Sequence, residues 1–410
     1  MTRTRIAVIG AGLVGSVVAL ELAARGAAVT LIERASRPMT GASLHNEGKV
    51  HLGFVYAMDP TGNTRERMIE GAMHFAPILD RICGPLPWEA IRTEGFRYAV
   101  MPDSLADPGT LEAAYADVDS RSRALLDDRP DLSYLGLSPH SFWASSDDDR
   151  GRPVVDGRPV ETLYRTAELA IDPRTVALAV VDALDAHPSI DVLAGHRVIE
   201  AQRSPSGGFG LTTIVGDTPA VTHADAVVNC AWADRTRLDG TVGMTPERQR
   251  WSYRTKYSIV VRPHSPDHGL VPVTMVQGPY GDLVPRTDGT VYISWYPVAR
   301  TYFGAAPPPD VDSDEARRVA VGSLNVLGRM FPSLAGAPVI SSKPGVIIAE
   351  ASTDVDDPTS GLHIREELGV TGADGWWSVQ PAKLTTAPLT GVRAASHVVA
   401  ALGLETTAVA

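Results

Sequence analysis

Residues 6–15 read Ile6-Ala7-Val8-Ile9-Gly10-Ala11-Gly12-Leu13-Val14-Gly15, and this stretch decides the fold. Its opening apolar run suits a strand buried on both faces of a parallel sheet. The glycines that follow have three uses: a tight turn, close approach of backbone amides to a pyrophosphate, and close packing of the next helix. That helix is expected from Val14, Val17, Val18 and Leu22, which recur at helical spacing, and Gly26 stands where it would stop. A second strand, Val29-Thr30-Leu31-Ile32, ends at Glu33. An acid about 20 residues beyond such glycines accepts hydrogen bonds from the ribose hydroxyls of an adenosine and repels a 2′-phosphate, which selects FAD or NAD over NADP.

The chain has 410 residues and 44% hydrophobic content, enough for two domains or one interleaved one with a core that needs no staples. Cys83 and Cys230 are the only cysteines and stand in no metal-ligand spacing. Neither a disulfide scaffold nor a metal site is expected, and a reducing, cytoplasmic compartment is. The first strand begins almost at the N-terminus with no evident leader, and no window approaches the roughly 18 apolar residues of a membrane span. A net charge of −11 offers no basic face for nucleic acid. It does not count against a pyrophosphate, which backbone amides and a helix N-terminus can hold.

The stretch Ser43-Leu44-His45-Asn46-Glu47-Gly48-Lys49-Val50-His51-Leu52-Gly53-Phe54-Val55-Tyr56 is too polar for a buried strand and too rich in hydrogen-bonding side chains for a simple connector. Beside a nucleotide fold, such a loop is a functional candidate. With the opening fingerprint and Glu33, its turn into Gly48-Lys49-Val50-His51-Leu52-Gly53 resembles the superfamily of D-amino acid oxidase, glycine oxidase, glycerol-3-phosphate dehydrogenase and L-2-hydroxyglutarate dehydrogenase. The resemblance implies FAD, with this loop running along the pyrophosphate and beneath the isoalloxazine ring. Ser43, Asn46, Gly48 and Lys49 would then touch the cofactor, and His51 would lie near ring and substrate. Gly10, Gly12, Leu13, Val14, Gly15, Glu33 and Arg34 would hold its adenosine and phosphates.

Farther on, Asn63 to Leu79 reads as an amphipathic helix, and Asp107-Pro108 and Asp172-Pro173 each open another by cap and first-turn preference. The acidic run Asp147-Asp148-Asp149 lacks the alternating ligands and distal Glu of a calcium loop and reads as a solvated loop. The tract Ala226-Val227-Val228-Asn229-Cys230-Ala231 reads as a buried strand. The resemblance makes it the late strand of an FAD domain, with Val198, Ala231 and Trp232 by the cofactor, although Ala231-Trp232 replaces an expected glycine.

Short strands at Tyr257–Arg262, Val271–Val276 and Val291–Trp295, with Asp288-Gly289 as a hairpin turn, predict an antiparallel sheet. By resemblance the sheet roofs the flavin and carries substrate residues, with Arg254, Lys256, Tyr257, Arg286, Trp295 and Tyr296 as candidates. Lys343-Pro344-Gly345-Val346 stands where relatives have Gly-x-Arg-Pro, and the arginine is absent. Near the end, Gln380-Pro381-Ala382-Lys383-Leu384-Thr385-Thr386 precedes a small-residue helix, Gly391 to Leu402. It resembles the Gly-Gly-Lys-Leu-Thr-Thr tract of glycerol-3-phosphate dehydrogenases, which places Lys383, Leu384, Thr385 and Thr386 at the flavin edge. The positive end of such a helix suits the electron-rich edge of a reduced flavin.

The resulting expectation is an α/β chain (α+β overall) with a Rossmann-like FAD-binding domain and an inserted antiparallel-sheet substrate domain. The first takes residues 1–90, 151–240 and 340–410, and the second 91–150 and 241–339. The expected activity is removal of a hydride from a C–H bearing a hydroxyl, on a small, polar, carboxylated substrate, to flavin N5. His51 is the expected base, with Lys49, Arg254, Tyr257 and Arg286 as further catalytic candidates. Oxygen or a quinone would take the electrons, and a homodimer is compatible. The alternatives are an amino acid or amine oxidase of the same fold, and a flavin- or NAD-binding protein without turnover.

Overall fold

The computed structural model describes residues 4–244, 251–310, 313–364 and 369–404. The opening run forms β1 (Arg5–Ile9), the glycine turn leads into α1 (Leu13–Ala24), and the second apolar run forms β2 (Ala28–Glu33). Six strands make the first sheet, in the order Ile190–Ala194, β2, β1, Ala226–Asn229, Trp376–Val379, Val370–Ala373. All pair in parallel except the last hairpin. Sequence order reverses at β1, which has β2 on one side and Ala226–Asn229 on the other. The glycine turn leaves β1 at that switch point, where a nucleotide sits in open α/β sheets.

One face of this sheet is covered by α1, α2 (Asn63–Cys83) and the C-terminal helix Ala387–Leu402, through buried Val17, Val18, Leu22, Ala394 and Val398. The two helices at 13–24 and 387–402 cross closely because Gly391 has no side chain: a Cβ there would stand 2.7 Å from Val17 Cβ. The other face is covered by a three-stranded antiparallel sheet, 196–224, whose Val198, Phe209 and Leu211 pack on Ile9, Ile32 and Trp376.

The second large sheet has nine strands and is mixed, mostly antiparallel. Its centre is the strand Trp251–Val261, flanked along one edge by Val339–Glu350 and along the other by Arg300–Gly304 and Val291–Ile293. Asp288-Gly289 forms the expected hairpin turn, Gly289 having φ +75°. Side chains alternate across the central strand. Tyr257, Ile259 and Val261 pack under the helix Ser313–Met330, and Arg254, Lys256 and Ser258 face the first domain.

The expected caps are present: the Asp107 carboxylate accepts from Thr110 N at 3.0 Å, and Asp172 accepts from Arg174 N at 3.1 Å. The acidic run is ion-paired, Asp148 with Arg97 and Arg150, and Asp149 with Arg152. Two boundaries differ from expectation. Leu163–Thr166 pairs with Arg97–Val100, and Val339–Glu350 pairs with the central strand, so both belong to the second sheet. Such long-range pairings leave no mark on local composition. Of the expected first domain, residues 1–3, 365–368 and 405–410 lie outside the described residues, and of the second, residues 245–250 and 311–312. Among the described residues there is no cluster able to hold a metal, and no helix is long and apolar enough to cross a membrane.

Candidate active site

The glycine turn divides its work among three residues. Gly10 has φ +94°, a conformation that L side chains rarely adopt, and a Cβ there would meet Cys230 O at 2.6 Å. A Cβ on Gly15 would lie 1.9 Å from Gly10 O, so helix and turn could not close. Gly12 differs, because its Cβ would meet only the Ser43 hydroxyl, at 3.2 Å, in the concave mouth of the turn. That mouth is a cradle which a side chain would fill. Ser43 Oγ accepts from Leu13 N at 2.9 Å, and the two Glu33 oxygens accept from Ala11 N and Ala35 N, each at 2.8 Å. A carboxylate oxygen keeps a second lone pair, so Glu33 can still receive ribose hydroxyls. The open cradle at Gly12, the Ser43 hydroxyl beside it and the spare lone pairs of Glu33 fit a dinucleotide diphosphate beside an adenosine. Arg34 sits at the mouth with its side chain mostly exposed, 3.8 Å from Asp234.

On the far side of this turn the loop 43–51 and the second sheet enclose a cluster of buried charge. Asn46 Oδ1 accepts from Gly48 N at 2.7 Å, and Gly48 takes φ +76°, where a Cβ would lie 2.0 Å from Ile171 O. This kink sends Lys49 and His51 inward. His51 is 5% exposed, and its backbone N donates to Thr385 Oγ1 at 2.7 Å, which ties the loop to the tract 383–386. Lys383 Nζ lies 3.2 Å from His51 Nε2, and Glu168 Oε1 lies 3.5 Å from His51 Nδ1. An ammonium only donates, so Nε2 is the acceptor and the ring proton sits on Nδ1, facing Glu168. Burial and the neighbouring Lys383 hold the His51 imidazolium below the usual histidine range, against the pull of Glu168. The ring is neutral near pH 7.

Glu168 is fully buried and was not marked by the sequence reading. Its carboxylate accepts from Leu52 N at 2.6 Å and Tyr98 OH at 2.5 Å, and lies 3.1 Å from Lys49 Nζ. Burial pushes this carboxyl up, but Lys49 and His51 overcome it and hold it well below the usual carboxylate range. The only local signal is an acid set among apolar residues, Ala167-Glu168-Leu169-Ala170-Ile171.

Four expected catalytic residues are engaged by other protein groups. Lys49 is sealed between Glu168 and Asp282, the latter at 3.2 Å, with the Phe96 and Tyr98 rings 4.2 and 4.7 Å from its nitrogen. An ammonium so enclosed reaches neither cofactor nor substrate, and it acts through Glu168. Tyr257 points to the opposite face, where its hydroxyl donates to Glu315 at 3.1 Å, because positions 257, 259 and 261 of its strand face the helix 313–330. Arg254 does face the site, but its guanidinium is spent on Asp354 at 2.8 Å. Arg286 donates to Asn46 O at 3.2 Å and so braces the loop.

Among the cofactor candidates, Leu13, Val14, Ser43, Asn46 and Gly48 surround the glycine turn and loop, and Lys383, Leu384, Thr385 and Thr386 form the turn before the C-terminal helix. Val198 is a core residue against Ile9 and Ile32, and its carbonyl accepts from Arg237 at 3.2 Å, so its side chain does not serve the cofactor. Trp232 keeps the glycine path beyond Ala231: it takes φ +53°, and its indole donates to Val346 O at 2.7 Å. Such a φ costs a bulky residue of order 1–3 kcal/mol, which that bond helps to hold.

The model of the FAD dependent oxidoreductase family, DAO, matches residues 5–406. Among solved structures, glycine oxidase from Geobacillus kaustophilus superposes with a TM-score of 0.67 at 17% identity, over 98% of this chain and 96% of that one. Iminodiacetate oxidase from Chelativorans sp. BNC1 gives 0.65 at 16% identity, over 98% and 96%. L-alpha-glycerophosphate oxidase from Mycoplasma pneumoniae, solved with FAD bound, gives 0.63 at 17% identity, over 98% and 95%. No curated protein sequence matches the chain.

Proposed function

We propose that this chain, which belongs to the DAO family of FAD dependent oxidoreductases and is an FAD-using enzyme, oxidises a C–H bond beside a hydroxyl on a small polar substrate. The observation that carries this reading is His51, a buried neutral imidazole whose Nδ1 faces an ionised carboxylate and whose Nε2 lone pair points to the tract 383–386. An amine can arrive already deprotonated, but an alcohol must lose its O–H proton as the hydride leaves, and that requires a positioned base.

Bound FAD supplies the hydride acceptor, and the protein supplies orientation and electrostatics. Gly10, Gly12, Gly15 and Ser43 would hold its phosphates, Glu33 its ribose, and the turn 383–386 its ring edge. A substrate hydroxyl that takes the place of Lys383 at Nε2 gives its proton to His51. Glu168, kept ionised by Lys49, stabilises the imidazolium that forms and holds the ring in one tautomer. The Tyr56 ring lies 5.2 Å from Lys383 Nζ and the Tyr296 ring 4.4 Å from Lys256 Nζ, and these aromatic faces beside the charge cluster would help to exclude water.

The test is anaerobic bleaching of the flavin in the purified holoenzyme against a panel of hydroxy acids, polyols and amino acids. A hydroxyl substrate should bleach it, and His51→Ala should keep the flavin bound while slowing reduction by about 10²–10⁴-fold. Reduction by amino acids alone, with ammonia released and the rate untouched by His51→Ala, would establish the amine oxidase reading instead.

A further inference from the structure

Helix α2 touches both the loop that carries His51 and the turn that carries Lys383, and at each place a glycine lets main chain lie against main chain. At the first, Gly53 has φ +108°, and a Cβ on it would stand 3.0 Å from Arg65 Cα in the helix. Gly53 is two residues past His51. At the second, Gly71 of the helix meets the turn 383–386, where its Cβ would stand 2.9 Å from Thr386 Cγ2 and 3.1 Å from both Thr385 O and Thr386 Cα. Thr385 is two residues past Lys383. Gly71 lies well inside α2, where glycine weakens a helix relative to alanine, so its place there needs a reason.

The hydrogen bonds follow the same plan. Arg65 Nη1 donates to Tyr56 O at 3.0 Å and to Asp59 O at 2.8 Å, which holds the stretch after His51 to the helix. Its Nε donates to Asp117 at 2.8 Å, and Arg121 donates to the same carboxylate, so the helix Pro108–Asp128 fixes the guanidinium from outside. The loop and the turn are tied to each other by His51 N on Thr385 Oγ1. Arg65 and Gly71 are six residues apart, about 9 Å along a helix axis. A close-packed interior transmits such contacts with little give, so neither segment moves independently of the helix.

We propose that α2 is the spacer that sets the separation of His51 from Lys383, and that Arg65 and Gly71 are positioning residues acting through the loop and the turn. The width of the gap at His51 Nε2 and the proton affinity of that ring are then fixed together. The purpose of the gap, admitting a substrate hydroxyl, rests on the reading of His51 as base; the geometry does not. His51 is faced by Glu47 and Lys49 of its own loop, by Glu168, by Asp282 and by Lys383. Of these, Lys383 is the one carried by the turn that Gly71 touches. Opening the gap weakens an influence that lowers the His51 pKa and admits water, and both effects raise it.

The experiment follows the His51 imidazole by NMR titration of the holoenzyme, its resonance assigned by its absence from His51→Gln. Gly71→Ala should keep the fold, since the turn need give by only a few tenths of an ångström, and should raise the His51 pKa by about 0.5 unit or more. Arg65→Lys keeps the charge without the fork geometry that spans two carbonyls, and it should move the titration the same way. Lys383→Met should raise the pKa in the wild-type background and raise it by less beside Gly71→Ala, because both changes act on one contact. A titration unmoved in Gly71→Ala and Arg65→Lys, even with a lower thermal midpoint, marks plain packing and overturns the proposal, as does full additivity with Lys383→Met. Should Gly71→Ala not fold, Arg65→Lys decides alone. The titration is read without turnover, so normal flavin reduction by His51→Ala would remove the base and leave the spacer standing.

Discussion

His51 is surrounded by Glu47, Lys49, Glu168 and Lys383, and its basicity is the balance among them and burial. Burial and Lys383 lower it, while Glu168 raises it. A base works only when unprotonated, so kcat/KM should fall as pH falls through the His51 pKa, on a limb below the ordinary histidine range near ~6.5. Lys383→Met removes a lowering influence, so its acid limb should move to higher pH. Glu168→Gln removes the raising one, so its limb should move lower, with the rate reduced as the imidazolium loses its counter-charge. A pH–rate profile of each variant checks both signs, and limbs that stay in place in both would remove His51 from the role of base.

At the scale of elements, the junction of β1 and α1 works because backbone and helix end share one small space. Gly12→Ala would place a methyl 3.2 Å from Ser43 Oγ, in the cradle itself, without touching the core. The fold should survive with a thermal midpoint near wild type, while FAD affinity, read by flavin fluorescence on titration of apoprotein, falls roughly 10–100-fold. Wild-type FAD affinity in this variant would place the diphosphate elsewhere. Gly15→Ala is a different matter, since its Cβ would stand 1.9 Å from Gly10 O and the element could not form. The C-terminal helix joins the same structure through Gly391, packed on Val17, and presents its first turn to the site.

At the scale of the molecule, the two sheets are joined across a seam of buried ions. Lys49 and Glu168 come from the first half of the chain and Asp282 from the second sheet. Removing one partner strands the others in a low-dielectric interior, so Lys49→Met should destabilise the protein by about 3–5 kcal/mol in denaturant unfolding. The carboxyls of Glu47, Glu168 and Asp282 are all held below their usual range, by Lys49 or Lys256 against burial, so the stability they add is present above about pH 5 and is lost as pH falls. His51 acts in the same direction, because the unfolded chain takes up its proton from about pH 6.5 downward while the folded one resists. The thermal midpoint should therefore decline steadily on acidification from about pH 6.5.

The residues 6–15 with Glu33 determined the first fold, the turn, the order β1, α1, β2 and the class of cofactor, because each of these depends on neighbours within one supersecondary unit. The caps at Asp107 and Asp172 and the hairpin at Asp288-Gly289 were legible for the same reason: their hydrogen bonds close within a few residues. Tertiary structure alone decided the rest. Lys49 reads in sequence as part of a functional loop, yet residues 168 and 282 enclose it. Glu168 carries no motif and gains its meaning from a histidine 117 positions earlier. Whether Arg254, Lys256 or Tyr257 meets the substrate depended on which face of one strand turned inward and on where Asp354 lay. Coulomb attraction and burial act through space, and the chain between such partners records neither.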